Sequence, residues 1–335
     1  MTPPLITRAS VRVPATTSNL GAGFDCVGVA LDRWLRVDAE VRHDGRELVH
    51  IHRTGTLRAL DAAGITNVRD DLLYRGFEAV LKRCSGSNGF SGSVYFNADS
   101  DIPIARGLGS SAAALLAGAA LANATLGLML SVDELAQLCA RIEGHGDNVA
   151  PAALGGAILV SPRAPWLTFS PLLVSDALGF AFAIPEFECH TDLARAALPT
   201  QVPFATAVTA AARAAALVQG LGTGDRDLLV VGLDDELHVP HRLPLVPFFE
   251  HVAHAARAAG AYGATLSGSG SAIVAITPRA IAAQVSTAMA GAWRAAGIDA
   301  RGFATGVGLS GLSVVSPSNS PTLKPSNTRS PSLCP

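Results

Sequence analysis

The segment PIARGLGSSAAALLAG, Pro103–Gly118, sets the first constraint on how this chain folds. A glycine-serine turn runs directly into an alanine-rich stretch that reads as a helix from about Ser110 to Gly127, whose small side chains permit close packing against neighbours. Unpaired N–H groups and the dipole at such a helix start attract anions, and glycines let an anion approach the backbone closely. Gly107, Gly109, Ser110 and Ser111 suit that role. A lysine-bearing phosphate loop needs a Gly-Lys pair, and the chain has none. A nucleotide held here relies on backbone donors, with its remaining charge met by Mg²⁺ on the Ser111 hydroxyl and a carboxylate from elsewhere.

Around this segment the sequence alternates between two periodicities. RWLRVDAEVR places Leu35, Val37, Ala39 and Val41 on one face and Arg36, Asp38, Glu40 and Arg42 on the other, the pattern of a half-buried strand. DDLLYRGFEAVLKRC carries Leu72, Leu73, Phe77, Val80 and Leu81 at helical spacing, and SGSVYFNADSDIP reads as a strand. SVDELAQLCARIE is a second helix, opened by a capping box of Ser131 and Glu134. GHGDNVAPAALGGAILVS then reads as a polar turn, a short helix and a strand. In the second half, helices are expected near 191–198, 205–219, 246–259 and 279–296. Two short strands flank a glycine turn in ATLSGSGSAIVAIT, and a last strand falls near 302–306. Strands and helices mixed without regular alternation point to an α+β fold.

With 335 residues, 49% hydrophobic and 16% charged, the chain has ample material for a core. A net charge of -2 gives no electrostatic footprint for nucleic acid or an anionic membrane, so small molecules are the expected partners. The N-terminus has no apolar core of signal-peptide length, and Asn123, Thr125 and Gly127 interrupt the apolar run after Ala112, so no membrane partner is expected. Five scattered cysteines without a C-x-x-C pair suggest a reducing, cytoplasmic setting. Of 25 basic residues only Lys82 and Lys324 are lysines, so fixed cations are arginines. The last twenty residues, rich in serine and proline, read as a disordered tail over 316–335.

Three segments carry a resemblance. VRVPATTSNLGAGFDCVGVAL at 11–31, PIARGLGSSAAALLAG, and YGATLSGSGSAIVAI at 262–276 resemble, in order and spacing, the three signature motifs of the GHMP kinase superfamily. EGHGDNVAPAALGG at 143–156 and DELHVPHR at 235–242 resemble its homoserine kinase branch, which phosphorylates the side-chain hydroxyl of L-homoserine. The resemblance implies a two-lobed α+β fold, with an N-terminal lobe like ribosomal protein S5 domain 2 over 1–165 and a ferredoxin-like lobe over 166–310. ATP and Mg²⁺ are implied, as is a homodimer.

Residue by residue, the resemblance implies an ATP phosphate loop of Pro103, Ile104, Ala105, Arg106, Gly107, Leu108, Gly109, Ser110, Ser111, Ala112 and Ala113, with Ser111 and Glu143 holding Mg²⁺. It implies substrate contacts from Asn19, Asp25, His145, Thr191, Arg195 and Arg242. His145 and Asn148 would position the hydroxyl, and the two arginines would grip a carboxylate bidentately. Asp25, with no lysine nearby, would orient substrate rather than act as a base. On residue type alone Glu143 reads as a solvated helix end, Asn19 and Asp25 as turn formers, and the arginines as surface cations. Two alternatives stay open: a kinase for another small alcohol such as mevalonate, and a non-catalytic sensor of ATP and a metabolite.

Overall fold

The computed structural model describes residues 5–64, 67–85, 91–306 and 310–315; the tail expected over 316–335 lies outside them. The chain begins with two long antiparallel strands, β1 (Ile6–Ser18) and β2 (Val27–Arg42), with a register shift at Pro14/Ala15. The alternation read in β2 is realised: Leu35, Val37, Ala39 and Val41 are buried while Arg36 and Asp38 are exposed. Next come β3 (Val49–Gly55), α1 (Arg58–Ala62), α2 (Leu72–Ser85) and β4 (Ser93–Ser100), with β3 parallel to β4 and β4 antiparallel to β2.

The alanine-rich segment forms α3 (Ser110–Leu126), the central helix of the first lobe. Its small residues let it meet α2 backbone to backbone: a Cβ on Gly118 would lie 1.8 Å from the Leu73 carbonyl oxygen, and one on Gly76 2.0 Å from that of Leu115. Any larger side chain there would push the helices apart. α4 (Val132–Glu143) opens on the expected capping box, with the Glu134 N–H donating to Ser131 Oγ at 3.2 Å and the Ser131 N–H donating to the Glu134 carboxylate at 2.9 Å. α5 (Val149–Leu154) leads into the hairpin of β5 (Ala157–Arg163) and β6 (Trp166–Leu172), joined to the sheet through β2.

The second lobe comprises β7 (Leu178–Pro185), α6 (Thr191–Ala196), α7 (Phe204–Thr223), α8 (Arg226–Leu233), α9 (Val239–Arg242), α10 (Phe249–Ala258), β8 (Gly263–Leu266), β9 (Ile273–Pro278), α11 (Ala282–Ala295) and β10 (Ala300–Thr305). Its sheet has the order β10-β7-β9-β8, all antiparallel. α10 and α11 pack on one face around the fully buried Trp293. The other face supplies Phe180, Phe182, Val274 and Ile276 to the apolar cluster of the first lobe, which also takes in Leu217, Leu229 and Leu233 from α7 and α8. The lobes therefore share a core.

β11 (Ser313–Val315) returns to pair with β1, Ser10 opposite Val315. The boundary expected at 165/166 falls inside the β5–β6 hairpin, so by hydrogen bonding the first lobe runs to Leu172 and also takes in β11. Among the described residues, α7 alone is long and apolar enough to cross a membrane by length and composition. One edge of it, with Leu217, Gly220 and Leu221, is buried, and Phe204 and Val208 are exposed.

Candidate functional site

A cleft of about 430 Å³ lies where the start of α3 meets the turn between β8 and β9. The glycine-serine loop forms one wall. Gly107 and Gly109 both have φ of 69°, and a Cβ on either would fall 1.9 Å from Ser267 O or Thr16 Oγ1 respectively. Both constraints select glycine. The loop is tied down by Thr16 N–H to Leu108 O at 3.1 Å, Ser267 Oγ to Gly107 O at 2.7 Å and Cys189 N–H to Ala105 O at 3.1 Å. Gly109 is the N-cap of α3 and offers no side chain to its first-turn N–H groups. Those donors are left for an anion.

The one cation in this loop is used elsewhere. Arg106 donates to the carbonyls of Ile104 and Pro185, each at 2.9 Å, and to that of Glu186, fastening the loop to the end of β7. Pro103, Ala112 and Ala113 do not line the cleft, and both alanines face the core of the first lobe.

At the mouth of the loop Ser111 Oγ donates to Glu143 Oε1 at 2.5 Å. α4 ends at Glu143 because Gly144 takes φ of 85°, and the turn that follows brings His145 and Asn148 to the cleft wall with Asp147 buried behind them. His145 Nδ1 lies 2.7 Å from Asp147 Oδ1, and its Nε2 lies 3.9 Å from Glu143 Oε1. Burial opposes a charge on His145, but the Asp147 carboxylate outweighs it and raises the histidine pKa above its ordinary value. Burial likewise opposes the charge on Asp147; His145 and the Ser18 hydroxyl overcome it and hold the carboxyl below its usual range. Asn148 is fixed by Thr16, which donates to its Oδ1 at 2.8 Å, and by Ser18 Oγ, which accepts from its Nδ2 at 2.9 Å.

The opposite wall carries the charges. Asn19 Oδ1 accepts the Asp25 N–H at 2.8 Å, and both residues take positive φ, 58° and 54°. Arg195, from α6, forks onto the Asp25 carboxylate at 2.8 and 3.2 Å. Arg242, from α9, is 1% exposed, yet among the described residues no carboxylate forms an ion pair with it. Its guanidinium donates to Ala194 O at 3.1 Å and Gly268 O at 3.3 Å. Thr191 Oγ1 is 3.4 Å from Ser269 Oγ beside it. Of the residues expected at a site, the cleft gathers Asn19, Ile104–Ser111, Glu143, His145, Asn148, Thr191, Arg195 and Arg242. Asp25 lines the neighbouring groove behind His145 and reaches the cleft through Arg195.

Several contributors escaped the sequence reading. Phe24 stacks on His238 at 4.9 Å, and the Arg242 guanidinium lies 5.2 Å from the Phe24 ring centroid. Asp235 caps α9 by accepting the N–H groups of Leu237, His238 and Val239 at 3.1, 2.7 and 2.8 Å. At the far end the cleft is apolar, walled by Leu57, Leu60, Leu72 and Leu73. Arg53 there is ion-paired with Asp71 at 2.6 Å. Asp235 and His238 stand in the quoted DELHVPHR, where an aspartate three residues before the N-cap His238 accepts backbone N–H groups at the start of the Pro-containing helical turn. The leucines of the apolar end come from separate elements and carry no joint signal.

His238 gives a testable pH dependence. Its Nε2–H donates to Gly21 O at 3.0 Å, and its Nδ1 faces Arg242 Nη1 at 3.3 Å. Burial, with Arg242 adding to it against the pull of Asp235, pushes its pKa down to about 4 from 6.5. Below pH 6.5 the unfolded chain takes up a proton that the folded one refuses until about pH 4, so stability decreases as the pH is lowered from 6.5 to about 4. The expected slope is at most about 1.4 kcal/mol per pH unit. Urea unfolding over this range should show it, and His238→Gln should flatten it; an unchanged slope would assign the effect to other groups.

Comparison with known proteins adds the lineage. Residues 71–156 match the family model of the GHMP kinases N terminal domain, and residues 217–295 that of the GHMP kinases C terminal domain. The chain is 38% identical over 296 residues to a homoserine kinase of Microchaete diplosiphon, covering 88% of this chain and 94% of that one. It is 40% identical over 283 residues to a homoserine kinase of Gloeobacter violaceus, covering 84% and 92%. Among solved structures it superposes on homoserine kinase from Cytophaga hutchinsonii with a TM-score of 0.79 at 29% identity, over 92% of this chain and 98% of that one. Mevalonate kinase of L. major, at 16% identity and a TM-score of 0.59, shares the fold. With its glycine-serine loop, its two lobes and these relatives, the chain belongs to the homoserine kinase family of the GHMP kinases.

Proposed function

We propose that this protein transfers the γ-phosphoryl group of ATP to the side-chain hydroxyl of L-homoserine, giving O-phospho-L-homoserine and ADP. The observation that carries the substrate is Arg242, a wholly buried cation without a carboxylate partner among the described residues. An unpaired buried charge is costly, so an anionic ligand is its natural complement. Asn19 on the cleft wall, and Asp25, which reaches the cleft through Arg195, supply acceptor oxygens suited to an ammonium group. An anion site beside a cation site fits the two charges on the α-carbon of an amino acid. Mevalonate carries a carboxylate but no amine, and would bring no cation to Asp25 and Asn19.

In this reading the phosphates lie against Gly107–Ser111 and the first turn of α3, and the base occupies the apolar end between Leu57, Leu60, Leu72 and Leu73. The Ser111 hydroxyl and Glu143 carboxylate, 2.5 Å apart, are hard oxygen donors that fit Mg²⁺. When bound, that ion draws negative charge off the phosphate oxygens. The homoserine oxygen attacks the γ-phosphorus in line, and the bond from that phosphorus to the β–γ bridging oxygen breaks. ADP leaves with the bonding pair, and the hydroxyl proton passes late to the transferred phosphoryl group. Asn148 and His145 orient the hydroxyl. Positioning and charge stabilisation suffice for such a transfer.

The test is Mg-ATP-dependent ADP release with L-homoserine, L-serine, L-threonine, mevalonate or no acceptor. Release with homoserine alone supports the reading. Release with mevalonate would reassign the substrate, and ATP binding without release from any acceptor would make the protein a sensor.

A further inference from the structure

Asp147 has no part in the chemistry described so far, yet it is a fully buried carboxylate beside the cleft, with a side chain 0% exposed. Its Oδ1 meets His145 Nδ1 at 2.7 Å, with the Asn148 amide a distant second donor at 3.4 Å. Its Oδ2 accepts no hydrogen bond; the Ser18 hydroxyl favours the charge of this carboxylate without bonding it. Such a group is unfavourable for folding, since burying a carboxylate with half its acceptor capacity unmet is costly. Packing alone would be better served by an apolar residue of the same size.

The backbone of Asp147 is clamped as well. A Cβ on Gly28 of β2 would fall 1.7 Å from the Asp147 carbonyl oxygen, so strand and turn touch directly. The carboxylate thus has little freedom to leave the imidazole.

The geometry points to Asp147 as the positioning residue of His145: it pins the proton on Nδ1, fixes the ring plane, and so presents Nε2 to the acceptor hydroxyl. This rests on the phosphoryl transfer proposed above, in which His145 helps place that hydroxyl. Which imidazole nitrogen faces the site is decided by the hydrogen bond the other one makes. Here the second bond is to a carboxylate too buried to exchange it for water. Without it the ring could turn about its χ2 axis, and Nε2 would leave its place near Glu143 Oε1. Misplacing a reacting group by about 1 Å can cost on the order of 100-fold in rate.

Two measurements test this. The first is a double-mutant cycle of Asp147→Leu with His145→Ala, following homoserine phosphorylation. Alone, Asp147→Leu should lower kcat by about 100-fold with the KM for ATP changed less than about twofold. In the His145→Ala background the same change should cost less than about threefold, because it acts through a ring already gone. Equal losses in the two backgrounds would overturn the proposal, and so would an unaffected kcat in the single variant. The second uses the wild-type chain labelled with ¹⁵N at histidine. His145 Nδ1 should show the shift and attached-proton coupling of a protonated, hydrogen-bonded nitrogen; a bare Nδ1 would overturn the assignment. This readout needs no turnover, so it decides the role of Asp147 even if homoserine is not the acceptor.

Discussion

Arg242→Leu should lose most of its activity towards L-homoserine while remaining at least as stable as the parent. The guanidinium is buried, with Ala194 O and Gly268 O as acceptors and no carboxylate ion pair among the described residues. Removing one partner of a buried charged contact with a ligand typically costs about 2–5 kcal/mol, so kcat/KM for homoserine should fall by roughly 30- to 4,000-fold. Folding responds in the opposite sense, since the substitution deletes an uncompensated buried cation. The KM for ATP should barely move. Steady-state kinetics with thermal unfolding separate these effects: a large drop in melting temperature would mean that Arg242 holds the fold, and unchanged homoserine kinetics would remove it from the substrate site.

Glu143→Gln should be nearly as damaging, for a different reason. Glutamine can still accept the Ser111 hydroxyl that now bonds Glu143 Oε1 at 2.5 Å, so the local structure should persist. What disappears is a formal negative charge at the mouth of a loop whose own arginine is committed to the carbonyls of Ile104, Pro185 and Glu186. A hard divalent ion binds a neutral amide oxygen far more weakly than a carboxylate. The Mg²⁺ concentration for half-maximal activity should rise by about tenfold or more, and kcat at saturating metal should fall by on the order of 10²-fold. Titrating Mg²⁺ against rate at fixed ATP measures both, and an unaltered metal dependence would exclude Glu143 as a ligand.

Much of the fold was legible because its signals are local. The alternation of β2, the capping box of α4 and the small residues of α3 each lie within one element, and each matches the structure. β7 was missed for a physical reason: LGFAFAIP is buried on both faces, so it has no polar alternation to read. β11 was missed because three exposed residues owe their strand to pairing with β1, just over three hundred positions away in the chain. The site divides in the same way. Its glycine-serine loop announces itself by composition, whereas the burial of Arg242 depends on Phe24 of the other lobe, which stacks on His238 beside it. Arg195 and Arg242 were found through motif resemblance; residue type alone gave two surface cations. Asp147, between two residues that were singled out, was passed over because nothing in GHGDN says which side chain turns inward.

The phosphate loop without a lysine also determines which reagents can see this protein. Acyl-phosphate analogues of ATP report on kinases by acylating a lysine ε-amine next to the bound phosphates. No lysine lines the described cleft, and of the two in the chain Lys82 is held on the exposed side of α2 by Glu78 at 2.8 Å. Among the described residues, a lysine-capture reagent would therefore find no target at the nucleotide site. Dicarbonyl reagents selective for guanidinium groups are the complement: the Arg195 side chain is 35% exposed at the cleft wall, whereas Arg242 is shielded. Labelling at Arg195, blocked by bound amino acid, would make occupancy of the acceptor site visible where nucleotide probes fall silent.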